Sequence, residues 1–349
     1  MMTTELAKTT SIGLQLAGGP SVLGERQVRI PIGGKIRPGV KVLIRKYQNK
    51  ETEALYAKGV EAGASFDAID RRLVKLVDPE GKNGIRTTLT PKNVPYFTAR
   101  RSDFAMPEIA DMLMDRYGED REDGYHLYRL PIILATDSWL ANMPHGLKCY
   151  TRSELVYWSE YGADGNRYCQ TRGTVETDPK NQRARRVFGG RPVVVRGTCE
   201  PNTCPEYQAS KCKLSGQLLF YVPGVPGSSA IELATTSFYS LQQIRQQMEM
   251  VAFIRGGKIS GTLNGKPLFY LTKKHEDVSM LDEHGKAKKV KQWLIRLEAD
   301  IDMSRLFHES EPHQVLADGA MAAQVLTHRT VPAAQLAEPL PEPAEPEAA

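Results

Sequence analysis

Residues 193–222 read VVVRGTCEPNTCPEYQASKCKLSGQLLFYV. A β-branched run leads directly into Cys199, a loop rich in turn residues carries Cys204, and Cys212 precedes a second apolar run that stops at Pro223-Gly224. Both runs read as strands, because β-branched and aromatic residues bounded by turn signals suit a pleated, half-buried surface. Working outward, residues 231–234 form a further short strand. A helix then starts at Ser237 or Ser240 as N-cap and runs to Arg255, where Gly256-Gly257 stops it. Its apolar positions Leu241, Ile244, Met248, Val251 and Ala252 recur at helical spacing and read as core packing rather than a cofactor surface.

The remaining elements place the chain in the α+β class, as a mixed, mainly antiparallel sheet with a few helices and a cysteine metal knuckle. Strands cluster instead of alternating with helices, which argues against a doubly wound parallel sheet. Residues 267–302 read as an antiparallel hairpin, with Trp293, Ile295, Leu297, Ala299 and Ile301 alternating on its second arm and a basic, mobile connection EHGKAKK. Residues 22–47 read as short strands broken at Gly33-Gly34 and Pro38-Gly39. Helices are expected over 53–63, over 65–77 with Ser65 as N-cap, and over 107–117 with Pro107 near the start. Residues 127–134 read as a buried strand. The organisation predicted is a flexible N-terminus at 1–20, a body at 21–310 with the knuckle at about 169–212, and a disordered acidic Pro/Ala-rich tail at 311–349. Two subdomains split near residue 140 are an alternative for the body.

Three of the five cysteines, Cys199, Cys204 and Cys212, fall within fourteen residues at spacings of x4 and x7. Thiolates bind a borderline metal such as Zn²⁺, and four ligands close a tetrahedral structural site. The spacing is not the CxxC…CxxC repeat. The alternatives are free thiols in a reduced protein, or a disulfide. Cys169 is the favoured fourth ligand, Cys149 the alternative, and one zinc per chain the expected cofactor. Three cysteines plus water would instead leave an open, catalytic position, for which only Glu200 and Glu206 are local bases.

The chain has 349 residues and a net charge of +5, of which residues 331–349 contribute four glutamates and no basic residue. The rest of the chain therefore carries +9, which makes nucleic acid, duplex or single-stranded, the first partner to consider. Basic residues gather in three places. Arg183, Arg185, Arg186 and Arg191 precede the knuckle, with Phe188 available to stack on a base. Lys35, Arg37 and Lys41 lie on the first strands, and Lys286, Lys288, Lys289 and Lys291 in the hairpin connection. Solvated loops of the same composition are the plain alternative.

No run approaches the roughly 18 apolar residues that span a bilayer, and no secretory signal is visible at the start, so a cytoplasmic protein without a membrane partner is expected. The phosphate-binding GxxxxGK[ST], HExxH and GxSxG signatures are absent, which leans away from an enzyme without deciding it. Of the histidines, only His145, beside Gly146, sits in a constrained setting.

The segments IPIGGKIRPGVKVL, CEPNTCPEYQASKCKLSGQLLFYVPG and LATTSFYSLQQIRQQM together resemble the recombination directionality factors of phages that use serine integrases, and related proteins of integrative mobile elements. The residues that carry the resemblance are Cys199, Cys204-Pro205, Cys212-Lys213, Gly216, the strand at 218–222 and Thr235-Thr236-Ser237 leading to Ile244. It spans about residues 30–255, most specifically 196–248, and leaves the acidic tail and the hairpin after residue 260 unmatched. It implies a non-enzymatic accessory protein that binds an integrase–DNA complex and biases site-specific recombination toward excision. The competing functions are a single-stranded DNA-binding or annealing protein of the same elements, compatible with a homo-oligomer, and a metal-dependent hydrolase.

Overall fold

The computed structural model describes residues 30–301 except 152, 163, 186 and 282–284. The expectations for the N-terminus at 1–20, the tail at 311–349 and Arg186 fall outside the described residues. Strand β1 (Ile32–Leu43) runs unbroken through both Gly33-Gly34 and Pro38-Gly39, where the sequence suggested turns. It is held on two sides, and shifts of register at the Gly33-Gly34 and Pro38-Gly39 steps absorb the irregular residues without ending the strand. Gly34 is needed for proximity rather than for a turn. A Cβ there would stand 2.1 Å from Cδ1 of the Phe104 ring.

Helix α1 (Lys50–Glu61) begins three residues before its apolar pattern, because Asn49 and Thr52 form a capping box. Helix α2 (Phe66–Val77) starts where Ser65 predicts, its Oγ accepting from the Ala68 amide. The long β2 (Leu89–Phe104) leads to α3 (Glu108–Tyr117), with Pro107 at its N-cap as the sequence indicated. Next come β3 (Glu119–Arg121), β4 (Gly124–His126), β5 (Leu130–Ile132) and the single turn α4 (Trp139–Asn142). The expected strand at 127–134 shrinks to β5 flanked by isolated bridges at Leu127 and Ile133, but Leu127, Leu130, Ile132 and Leu134 are all buried.

Strands β6 (His145–Tyr150), β7 (Leu155–Tyr161), β8 (Arg167–Arg172) and β9 (Val193–Thr198) follow, then the one-turn α5 (Pro205–Gln208), β10 (Cys212–Phe220), β11 (Ala230–Thr235) and α6 (Phe238–Ile254). The chain continues through β12 (Thr262–Leu263), β13 (Lys266–Pro267) and the hairpin β14 (Phe269–Leu281) and β15 (Ala287–Ala299). The hairpin arms are longer than expected. Their pairing reaches Leu281 and Ala287, so Lys288, Lys289 and Lys291 sit on a strand and not in a loose connection.

The main sheet has eight strands in the order β2-β1-β11-β10-β6-β7-β8-β9, all antiparallel neighbours except the parallel pair β1–β11. It takes strands from both sides of residue 140. The fold is α+β. The main core lies beneath one half of the sheet, where Leu241, Ile244, Met248 and Val251 of α6 pack with Leu218 and Phe220 of β10, Leu233 of β11 and Leu271 and Leu297 of the hairpin. Each such side chain contributes about 1.5–3 kcal/mol on burial. Among the described residues the half formed by β7, β8 and β9 has no comparable layer, and every residue of β9 is exposed.

Candidate functional site

The five cysteines lie on or beside the thinly packed half of the sheet, Cys169 on β8, Cys199 after β9, and Cys149 and Cys212 on the adjoining β6 and β10. Pairing of β6 with β10 sets Cys149 directly opposite Cys212. Strand β8 places Cys169 between Ser159 of β7 and Gly197 of β9. Cys199 follows the end of β9 and is anchored twice to Arg167. Its amide donates to the Arg167 carbonyl at 2.7 Å, and the Arg167 guanidinium donates back to the Cys199 carbonyl, Nη2 at 3.0 Å. Two turns then bend the loop, with Thr203 N–H on Glu200 O and Cys204 N–H on Pro201 O, each at 3.3 Å. Cys204 is the N-cap of α5, where Pro205 needs no donor. The segment 199–212 is therefore loop, helical turn and strand, and Cys212 is the first residue of β10.

A cavity of about 220 Å³ opens where these parts meet, lined by Cys169, Cys199, Cys204 and Cys212 together with Tyr157, Arg196 and Glu206. Cys149, paired opposite Cys212 and neighbouring its thiol, is buried and does not line the cavity. Burial, then the neighbouring Cys149, Cys204 and Cys169, push the Cys212 thiol up to about 12. Burial likewise raises Cys169, with Cys199 and Cys204 adding to the effect and Arg196 opposing it. Cys204 Sγ donates to Glu206 Oε2 at 3.3 Å. Among the described residues no group of three or more His, Cys, Asp or Glu is drawn into a ready metal-binding set. Arg196 crosses the rim, its guanidinium 4.2 Å from the Tyr157 ring centroid and 3.7 Å from Glu206 Oε1. The five cysteines are free of disulfides.

The profile of the Gp3-like family, described as recombination directionality factor-like, matches residues 33–267. The chain belongs to that family. Membership gives it a recombination directionality factor-like role in DNA recombination, and the matched span takes in every strand of the eight-stranded sheet while stopping short of β14 and β15. No curated protein and no solved structure matches the chain. Among the described residues, no helix of this recombination directionality factor-like protein is long and apolar enough to cross a membrane.

The other residues singled out from the sequence are spread over separate places. Residues 176–185 close a small hairpin. Asp178 N–H donates to Arg183 O at 2.9 Å, Arg185 N–H donates to Glu176 O at 2.7 Å, and Gln182 takes φ +55°. Arg183 is exposed, and Arg185 reaches Glu176 at 3.9 Å across open solvent. Phe188 is 82% exposed, whereas Arg191 is tied to Glu154. On β1, both Arg37 donors hold Asp103 at 2.9 and 2.8 Å, and Lys41 holds Asp67 at 2.8 Å. These two cations are engaged in joining β1 to β2 and α2, while Lys35 is half-buried on the same strand. His145 stacks on Trp139, centroids 5.5 Å apart, with Nδ1 3.0 Å from Met143 O, a packing role.

The sequence alone does not single out Arg196, Tyr157 or Arg167. No short-range pattern marks them, since they act largely through strand neighbours distant in the chain. Glu206 was visible as a local carboxylate, and its own backbone amide and the Cys204 thiol hold it below the usual range.

Proposed function

We propose that this protein is a non-enzymatic, zinc-binding accessory factor of a mobile element. It steers site-specific recombination toward excision, in the cytoplasm, by contacting the element's recombinase and DNA together. The observation that carries the reading is the family match over residues 33–267, which includes the whole cysteine lobe. The donor set fits zinc: four cysteine side chains line one cavity, and burial followed by neighbouring thiols raises Cys169 and Cys212, an effect that a bound dication would reverse. Cys169, Cys199, Cys204 and Cys212 would hold the ion. Zinc there supplies a cross-link between β8, the loop and β10, in a region that has little apolar core to hold it.

The deciding experiment adds purified protein to the recombinase encoded by the same element, acting on paired excision and integration substrates. Excision should rise and integration fall. Equal rates with and without the protein would remove the reading. On the DNA side, Arg183→Gln combined with Arg185→Gln should lower the salt slope of log K for duplex DNA by about 0.9 per lost phosphate contact. An unchanged slope with weakened recombinase binding would move this hairpin to the protein interface.

A further inference from the structure

Strand β9 is the open edge of the eight-stranded sheet. Edge strands of soluble proteins are ordinarily blunted by an inward charge, a proline or a covering loop, because unpaired N–H and C=O groups template further pairing. Among the described residues no inward charge, proline or covering loop lies on 193–195, and the open stretch ends where the register shifts between Val195 and Gly197. Val193, Val194 and Val195 stand in a row, 52%, 44% and 57% exposed, so both faces of the strand are apolar and bare. Its backbone is also set for pairing. The Gly173 amide donates to Pro192 O at 2.8 Å, and Arg172, Thr171 and Gln170 pair with Val193, Val194 and Val195. By the alternation of an antiparallel ladder, Val194 then turns its N–H and C=O inward to β8, while Val193 and Val195 present theirs to solvent.

We infer that this edge is a docking strand for an extended, acidic segment of a protein partner, which adds to the sheet as a ninth strand beside β9. A ladder of alternating N–H and C=O groups is matched fully only by another strand, and three valine side chains offer a nucleic acid neither charge nor donor. The sign of the partner follows from the surroundings. Between residues 172 and 198 there are seven basic residues against two acidic ones, and Glu154 and Glu206 from outside the segment offset Arg191 and Arg196, which still leaves it net positive. A second copy of the chain laid along the same edge would bring two such segments together, whereas glutamates or aspartates alternating with apolar residues would complement it. The inference deepens the reading above by naming the surface and the chemistry through which its protein partner docks, and it is tested without the recombinase.

The probe is a labelled eight-residue peptide of alternating valine and glutamate, titrated into the full-length protein and followed by fluorescence anisotropy and amide exchange. The peptide should bind, and the Val193 and Val195 amides should gain protection. Val195→Pro removes one outward donor without touching the β8 ladder and should weaken binding by about tenfold, whereas Val195→Thr should leave it intact. The peptide N-methylated at every residue should not bind the wild-type protein, a control that does not depend on how any variant folds. The valine–lysine peptide should bind at least about tenfold more weakly, as a like-charged strand against this basic edge. The inference is overturned by equal binding of the N-methylated peptide, by no binding of the valine–glutamate peptide to wild type, or by a wild-type dimer that Val195→Pro turns into monomer. If the peptide binds and the recombination rates stay unchanged, the docking edge stands and the directionality reading falls. The reverse outcome removes only the edge.

Discussion

Lys273 shows how a single residue ties distant parts of this fold together. It lies on β14, and its ammonium donates to Pro38 O at 2.6 Å, to Asn93 Oδ1 at 2.8 Å and to Val94 O, fastening the hairpin to β1 and β2. Burial pushes it down to about 7, while the three acceptors favour the charged form and pull the other way. Below the folded value both folded and unfolded chains carry the proton, and the cost of burying the charge is fully present. Between that value and the ordinary 10.5 the unfolded chain binds a proton that the folded chain does not, so stability rises with pH. The unfolding free energy of wild type relative to Lys273→Met should therefore climb from pH 7 to pH 10. A flat difference would show that the ammonium stays charged throughout. Nothing in the sequence around Lys273 marks it, because its three partners lie about 180 residues or more away. The cysteines are the opposite case. Cys199, Cys204 and Cys212 are legible as a group because the chain itself keeps them close, and only the arrival of Cys169 needed the order of β7, β8 and β9.

At the scale of elements, the legible parts are those whose signals are local. Ser65 and Ser237 cap α2 and α6 where the sequence places them, and the 3.6-residue stripe of α6 becomes its buried face. The misread parts are those whose residues answer to another element. The Gly33-Gly34 doublet looks like a turn, yet Gly34 lies in mid-strand, where the Phe104 ring fills the space of a side chain. The ring is itself buried and cannot swing clear. Gly34→Ala should cost about 1–3 kcal/mol, as overpacking of a filled site does. Phe104→Leu in the same chain should return part of that loss, since the two changes share one space and are not additive. Denaturant melts of the two single variants and the double variant measure the coupling. Simple additivity would show that the strand relieves the contact by shifting instead.

For the whole molecule, stability is unevenly distributed. The half of the sheet over α6 and the hairpin holds the main core, while between residues 145 and 217 only Leu147 and Cys149 are buried apolar side chains among the described residues. Net stabilities of domains are about 5–15 kcal/mol, and structural zinc sites in small peptides bind with about 10–16 kcal/mol, so a metal is large enough to decide whether the lobe stays folded. If zinc holds it, chelation should strip amide-exchange protection from β7, β8 and β9 while amides of β10, β11 and α6 keep theirs, and heating should then show two transitions in place of one. Cys204→Ser should reproduce the chelated state and lose the metal. Cys149→Ser should retain it, because that thiol is buried beside Cys212 and does not line the cavity. Metal content near one per chain in Cys204→Ser would take zinc out of the lobe. In that event β7, β8 and β9 would rest on their backbone ladders alone, and the partner strand along β9 would become the main source of their order.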